Sequence, residues 1–391
     1  MEKRKKTWIE GFVTGILAML VCVAIGLFVI YGVTPFGGTK RLVNAEVVQK
    51  MNSIENLIDE KYLEEADKDF MQEGIYAGMV ASLQDPYSVY ITADDYQDYL
   101  NSAMGTYKGI GVIMRQNPET GEIMVDSCYP GSPGDKSGIL PGDILVEMNG
   151  ESLEGADIHE IAKEIRSMGE KEILLGVRRG EENLQFSLIP EEIIVPTLQH
   201  EMLDNNIGYM SIAEFTEGTP QQFQEAYQEL NNKNMQGLII DLRGNPGGLL
   251  QAVCDTLEQI LPKGLIVYTM DKDGNKDEHT CKGETPIQIP LVLLVDENSA
   301  SASEIFAGAV KDYQIGTIVG KTTFGKGIVQ NSYQMNDGSA VKLTISKYYT
   351  PAGNYIHGKG IEPDIEVLQD QETEEDEQLN KGIEVLREKI S

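Results

Sequence analysis

Leu291-Val292-Leu293-Leu294-Val295-Asp296-Glu297-Asn298-Ser299-Ala300-Ser301-Ala302-Ser303-Glu304 is the stretch that decides the fold. Its first five residues have no polar break and read as a strand buried on both faces. Asp296-Glu297-Asn298 is a polar turn, and the small residues after it read as a helix start. A strand running through a turn into a helix is the unit of an α/β sheet. The arrangement also exposes a hydroxyl at the carboxyl end of a strand, with helix amides aimed at it.

A serine hydroxyl is a poor nucleophile at neutral pH and needs a base. Downstream, Thr323-Phe324-Gly325-Lys326-Gly327-Ile328-Val329-Gln330 offers one. Lysine accepts a proton only as the neutral amine, which an apolar pocket favours. Phe324, Ile328 and Val329 supply apolar surroundings for Lys326, and Gly325 and Gly327 leave room for close approach. Residue chemistry alone does not choose among Ser299, Ser301 and Ser303.

Outward from this segment, residues 191–365 alternate strands and helices and predict an α/β core. Ile207 to Met210, Leu238 to Leu242 and Val341 to Tyr349 read as strands, and Thr219 to Leu230, with Pro220 in its first turn, as a helix. Between the strand ending at Leu242 and a helix over Leu249 to Leu261 lies Arg243-Gly244-Asn245-Pro246-Gly247-Gly248. A glycine pair there provides free amides with no side chain in the way, as an oxyanion site requires. The expected donors are the backbone amides of Gly247 or Gly248, joined by that of Ala302. Asp241 and Arg243 are expected to shape the loop.

Residues 101–190 resemble a PDZ domain. Tyr107-Lys108-Gly109-Ile110-Gly111-Val112 resembles the loop whose backbone amides receive a peptide's terminal carboxylate, so Gly109, Ile110, Gly111 and Val112 are the expected peptide-binding residues. Gly142-Asp143-Ile144-Leu145-Val146-Glu147-Met148-Asn149-Gly150 resembles a PDZ strand and turn, and an amphipathic helix over His159 to Met168 would wall the groove.

Taken together in order, these segments resemble the carboxyl-terminal processing, or tail-specific, proteases over roughly residues 50–365. The resemblance implies a PDZ-containing Ser-Lys peptidase in which Ser301, the middle serine, is the nucleophile, Lys326 the base and Gln330 the group that orients the lysine amine. It leaves Ser299 as a helix cap, and Ser303 with Glu304 as first-turn packing or hydrogen bonding. It also suggests Arg166, on the PDZ helix, as a charge contact and switch between the PDZ and protease bodies. No metal or organic cofactor is implied.

The 391 residues carry a net charge of −30, which repels nucleic acid and excludes DNA and RNA as partners. Lys3-Arg4-Lys5-Lys6 precedes an apolar run in which Phe12 to Tyr31 is 20 residues, about 30 Å of helix and a match to a bilayer core. Basic residues before it predict a cytoplasmic N-terminus and an exported remainder. No clear small-residue cleavage site follows, which favours an uncleaved anchor over a signal peptide. Of four cysteines, Cys22 lies in this run, and Cys128, Cys254 and Cys281 form neither a complete set of pairs nor a zinc pattern.

The expected organisation is a basic cytoplasmic tail (1–7), a transmembrane anchor (8–34), a linker and N-terminal helical region (35–100), an α+β PDZ-like domain (101–190), the α/β protease core (191–365) and an acidic C-terminal tail with a helix (366–391). In the helical region Val47, Val48, Met51, Ile54, Leu57 and Ile58 form one apolar face; the resemblance to these proteases implies that such helices make a homodimer contact, the alternative being that they brace the next domain. The implied location is a bacterial plasma membrane, single-pass, with the catalytic body outside. The expected activity is endopeptidase cleavage of exported proteins captured by their C-terminal tails. A Ser-His-Asp hydrolase is disfavoured because His159, His200, His279 and His357 accompany no G-x-S-x-G elbow. A catalytically silent, membrane-tethered PDZ scaffold remains the rival, although it has no physical use for Ser301, Lys326 and Gln330 together.

Overall fold

The computed structural model describes residues 42–368, 373 and 375–390. The expected membrane anchor at 8–34 lies outside the described residues, as does most of the acidic stretch at 369–374. Among the described residues no helix is long and apolar enough to cross a membrane.

The chain divides into two compact units, Met1–Tyr76 and Ala77–Ser391. In the first, helix α1 (Ala45–Lys61) starts at Asn44, whose side-chain oxygen accepts the amides of Glu46 and Val47. Helix α2 (Lys68–Ala81) begins in this unit and runs past its boundary. Lys68 bridges Glu55 and Asp59 of α1. The anticipated apolar face of α1 forms, but nothing in the helix is buried, and Ile54 and Leu57 are exposed.

The second unit opens with β1 (Val89–Ile91) and α3 (Ala93–Met104), the latter capped by Thr92. A strand pair follows, joining β2 (Thr106–Gly109) to a later partner. Next come β3 (Val112–Gln116), β4 (Ile123–Cys128), the short α4 (Pro133–Ser137), β5 (Ile144–Met148), β6 (Glu151–Ser152), α5 (Ile158–Ser167), β7 (Ile173–Arg179) and β8 (Glu182–Leu188). The sheet order β3-β4-β5-β7-β8 leaves β3 at an edge, and Ile161 and Ile165 of α5 pack into the core under it. Gly111, at φ 71°, is required there, because a Cβ would lie 2.2 Å from that of Ser132. Then β9 (Glu191–Ile194) pairs with β2 and leads out of this module.

The core sheet contains β10 (Leu198–Leu203), β11 (Ile207–Ile212), β12 (Gly237–Asp241), β15 (Leu291–Val295), β16 (Thr317–Gly320) and β19 (Ile365–Glu366), in that order. All neighbours are parallel except β10 with β11. Strands β12 and β15 are buried at every position, which explains the apolar runs at Leu238–Ile240 and Leu291–Val295. Alternate residues feed opposite layers. Leu238, Ile240, Leu291 and Leu293 pack under α6 (Thr219–Asn232), α7 (Leu250–Glu258) and α8 (Ala302–Tyr313). Ile239, Val292 and Leu294 pack under α9 (Glu377–Ile390) through Val385 and Leu386. The C-terminal segment therefore docks on the sheet.

A second sheet runs β1-β18-β13-β14, with β17 also paired to β18; its later strands are β13 (Gly264–Asp271), β14 (Lys276–Cys281), β17 (Ile328–Gln334) and β18 (Ala340–Tyr349). Cys254 and Cys281 are buried thiols, Cys128 is half-buried, and none of the three is in a disulfide.

Candidate active site

Three neighbouring parallel strands deliver the candidate residues. Beyond the carboxyl end of β12 comes the loop with Gly247 and Gly248. After β15 comes Ser301, and after β16 the loop with Lys326. Crevices at the carboxyl ends of parallel strands are where open α/β sheets bind ligands. Here a cleft of about 340 Å³ is lined by Ser301, Ala302, Gly248, Lys326, Gln330 and Lys342, with apolar wall from Phe215, Leu249, Leu250, Ile305, Ile328 and Val329.

The structure separates the three serines. Ser299 is fully buried, donates to the Leu242 carbonyl at 2.8 Å and accepts the Asp296 amide at 2.9 Å. Ser303 is also buried and donates to the Asn245 carbonyl at 3.1 Å. Ser301 alone of the three lines the cleft. It occupies the N-cap of α8 at φ 56°, ψ −110°, a conformation costly for a residue with a Cβ. The helix cap is therefore Ser301, not Ser299, and Ser303 bonds across to another loop rather than within its own turn. Tyr348, buried, donates to the Ser301 carbonyl at 3.1 Å and helps hold the strained peptide.

Glu304 does far more than pack. Fully buried, it accepts the Ser301 amide (2.9 Å), the Lys326 amide (2.7 Å), the Gly325 amide (2.7 Å) and the Thr323 hydroxyl (2.6 Å). One carboxylate thus fixes the backbone on both sides of the cleft. The sequence signal was a glutamate three residues after an N-cap serine; its reach to residues 323–326 is tertiary.

The oxyanion expectation needs one correction. The Gly247 amide donates to Asn245 Oδ1 at 2.8 Å and is already committed. Among the described residues the Gly248 and Ala302 amides have no such acceptor. Gly247 instead provides close approach: a Cβ on it would lie 2.8 Å from the Ser301 Cβ and 2.9 Å from the Ala302 nitrogen. Asn245 anchors the loop, donating to the Ile212 carbonyl at 2.8 Å and accepting the Ala300 amide on its own carbonyl at 3.0 Å. Behind it, Asp241 takes Tyr209 and Arg243, and Arg243 reaches Asp376 with two bonds of 2.7 and 2.8 Å.

Lys326 and Gln330 share the cleft with Ser301, but no hydrogen bond joins the three. The Lys326 ammonium sits 4.6 Å from the ring centroid of Tyr87. The Gln330 amide donates to the Thr344 hydroxyl at 3.3 Å. Burial pushes the Lys326 pKa down, nearby Lys342 adds to that, and Glu304 and Asp85 oppose it. Asp85 is itself tied to the Ser88 hydroxyl and the Tyr87 amide. Tyr87 belongs to the turn Asp85-Pro86-Tyr87-Ser88 that precedes β1.

In the PDZ-like module, the Ile110 and Val112 side chains are buried in the core, so only backbone at 109–112 is available to a peptide. The Gly111 carbonyl accepts the Tyr129 amide, and that of Ile110 accepts the Gly134 amide. Arg166 lies 3.5 Å from Asp98 of α3. It does not line the cleft; α3 does, through Tyr99, Ser102 and Ala103. None of the four histidines lines the cleft. Among the described residues no cluster of three His, Cys, Asp or Glu side chains could hold a metal.

Comparison with known proteins gives consistent results. Residues 206–367 match the peptidase family S41, residues 124–179 a PDZ domain, and residues 37–95 the N-terminal domain of the activating protease CtpB. The chain is 33% identical over 367 residues to the carboxy-terminal processing protease CtpA of Bacillus subtilis, covering 93% of this chain and 78% of that protein. It is 35% identical over 330 residues to CtpB of the same organism, covering 83% and 68%. A solved S41 protease structure from Bacteroides fragilis shares the fold at a TM-score of 0.52 and 15% identity, covering 90% of this chain and 99% of that one.

Proposed function

This chain belongs to the peptidase S41 family and is a carboxy-terminal processing serine protease with a PDZ domain; on that premise we propose that Ser301 is its nucleophile and Lys326 its general base. The observation that carries the reading is that Ser301, strained and facing the cleft, shares that cleft with a half-buried lysine and with the amides of Gly248 and Ala302.

Catalysis requires Lys326 to leave the Tyr87 ring and reach Ser301 Oγ, a rotamer change in a long side chain. Its neutral amine takes the hydroxyl proton as Oγ attacks the scissile carbonyl carbon. The carbonyl oxygen becomes an oxyanion between the Gly248 and Ala302 amides. Lys326 then returns the proton to the departing amine, leaving an acyl-Ser301. Water, deprotonated by the same amine, attacks the ester and releases the new C-terminus. Gln330 orients the amine once its amide turns from Thr344. The apolar wall favours a nonpolar side chain beside the cut.

The PDZ module would hold the substrate's C-terminal tail, its terminal carboxylate on the 109–112 backbone and its strand along the free edge of β3. Arg166, paired with Asp98 on the helix that lines the cleft, is the candidate link between tail capture and activity. Residues 8–34 would anchor the chain in a bacterial plasma membrane with the body outside, and the exposed apolar face of α1 suits a homodimer contact.

The test is cleavage of a protein bearing a nonpolar C-terminal tail, followed by mass spectrometry, for wild type and Ser301→Ala. Loss of cutting in the variant is expected. Equal cutting by both would assign catalysis elsewhere.

A further inference from the structure

Lys342 is a cation in the cleft that the Ser-Lys mechanism leaves unused. It lies on β18 directly opposite Ser332 of β17, and two residues along, Thr344 lies opposite Gln330. Side chains two apart on a strand share a face. Lys342 therefore stands on the wall that carries Gln330, and both line the cleft with Ser301 and Lys326. Among the described residues Lys342 has no carboxylate partner. Its ammonium sits 5.2 Å from the ring centroid of Tyr99. Tyr99 is held to the same ribbon, because its hydroxyl oxygen accepts a bond from Ser332 Oγ at 3.2 Å.

We propose that Lys342 is a positioning residue acting through Lys326: a positive charge fixed on the shared wall disfavours the ammonium of the base and keeps it ready to accept the Ser301 proton. The proposal rests on Lys326 being that base. Like charges sharing a site disfavour each other's charged form, and a cation on a half-buried wall is poorly screened. Facing Lys326 from the other elements are Glu304 of α8, Asp85 of the turn before β1 and the Tyr87 ring, all of which favour the ammonium. Glu214, Tyr99 and Tyr348 complete the titratable lining. The two carboxylates that act on the base are themselves hydrogen-bonded, Glu304 to three amides and a hydroxyl, Asp85 to Ser88 and Tyr87. Among the described residues Lys342 has no carboxylate partner, and it acts on Lys326 in the same direction as burial.

The experiment is the pH dependence of kcat/KM for cleavage of a quenched-fluorescence peptide by the full chain, in wild type, Lys342→Met and Lys342→Arg. Removing the charge raises the proton affinity of Lys326, so the acid limb in Lys342→Met should move up by about one pH unit. That is roughly a tenfold loss of kcat/KM below the limb, with the high-pH plateau little changed. Lys342→Arg should keep the wild-type limb. An unmoved limb in Lys342→Met, an equal shift in Lys342→Arg, or a raised KM with an unmoved limb would each overturn the proposal, the last assigning Lys342 to substrate binding. Should Lys342→Met fail to fold, Lys342→Gln takes its place. A Lys326→Ala arm separates the two levels. If that variant keeps the wild-type limb, the base assignment itself fails; if it is inactive while Lys342→Met has an unmoved limb, only the role of Lys342 fails.

Discussion

Glu304 Oε2 accepts the backbone amide of Ser301 at 2.9 Å and that of Lys326 at 2.7 Å, so one buried oxygen sets the spacing of the two loops that carry the proposed chemistry. The other oxygen closes the same loop through Gly325 and Thr323. All four partners are donors, which only a carboxylate can fully accept.

Glu304→Gln turns one acceptor into a donor aimed at donors. Leaving buried groups unsatisfied costs about 1–3 kcal/mol each. The expected result is a fall in kcat of at least about tenfold with KM nearly unchanged, and a melting temperature lower by several degrees. Steady-state kinetics with a thermal melt check it; a variant with wild-type kcat would separate Glu304 from the site.

The glycines of the proposed oxyanion loop should differ sharply in tolerance. At Gly248, φ is 135° and a Cβ would lie 2.2 Å from the Phe215 carbonyl oxygen; at Gly244, φ is 70° and the space is open. Gly248→Ala should therefore lose at least about a hundredfold in kcat or fail to fold, whereas Gly244→Ala bears only left-handed backbone strain of about 1–2 kcal/mol. Similar losses in the two would contradict the packing seen around Phe215.

Lys326 should weaken the fold it serves. Burial first, and Lys342 second, lower its folded pKa below the ordinary lysine value. The native state then releases this proton at lower pH than the unfolded chain, and stability rises with pH across that window. Lys326→Met should melt higher than wild type at neutral pH, with the gap narrowing as pH climbs toward the ordinary lysine range. A lower melting temperature at neutral pH would contradict the charge penalty.

The C-terminal helix should be tied down by pH as well as by packing. Burial raises the Asp376 pKa, but the hydrogen bonds of Arg243, its charge and the Leu379 and Gln378 amides outweigh it and hold the carboxyl below its usual range. A depressed folded pKa contributes stability above the unfolded value, about 3.9, that is lost as pH falls through the folded one. Wild type should lose more stability than Asp376→Asn between about pH 5 and pH 3. Parallel pH–stability curves would remove Asp376 from that role.

Much of this site was legible because its determinants are local. The apolar run at 291–295, the small residues at 299–303 and the lysine between glycines each carry their own chemistry, and strand order brings them to one edge. The strain at Ser301, φ 56°, was not legible: the hydrogen bond from its amide to Glu304 is local, but its carbonyl is held by Tyr348 from 47 residues away. Nor could the two glycines be told apart, because the choice depends on where the Asn245 side chain turns. Lys342 and Tyr87 were not legible for a similar reason: pairing register in the β17–β18 ribbon and the return of residue 87 to the cleft are long-range facts. The C-terminal helix was expected in the sequence, but not the sheet face it covers.

The most direct measurement is labelling by a fluorophosphonate, whose phosphorus is attacked by an activated serine oxygen with loss of fluoride, followed by peptide mass spectrometry across a pH series. Serine chemistry assisted by Lys326 predicts a single adduct on Ser301, a rate that climbs as the lysine loses its proton, and near-complete loss of labelling in Lys326→Met. An adduct on Ser299 or Ser303, or undiminished labelling of Ser301 without the lysine, would contradict it.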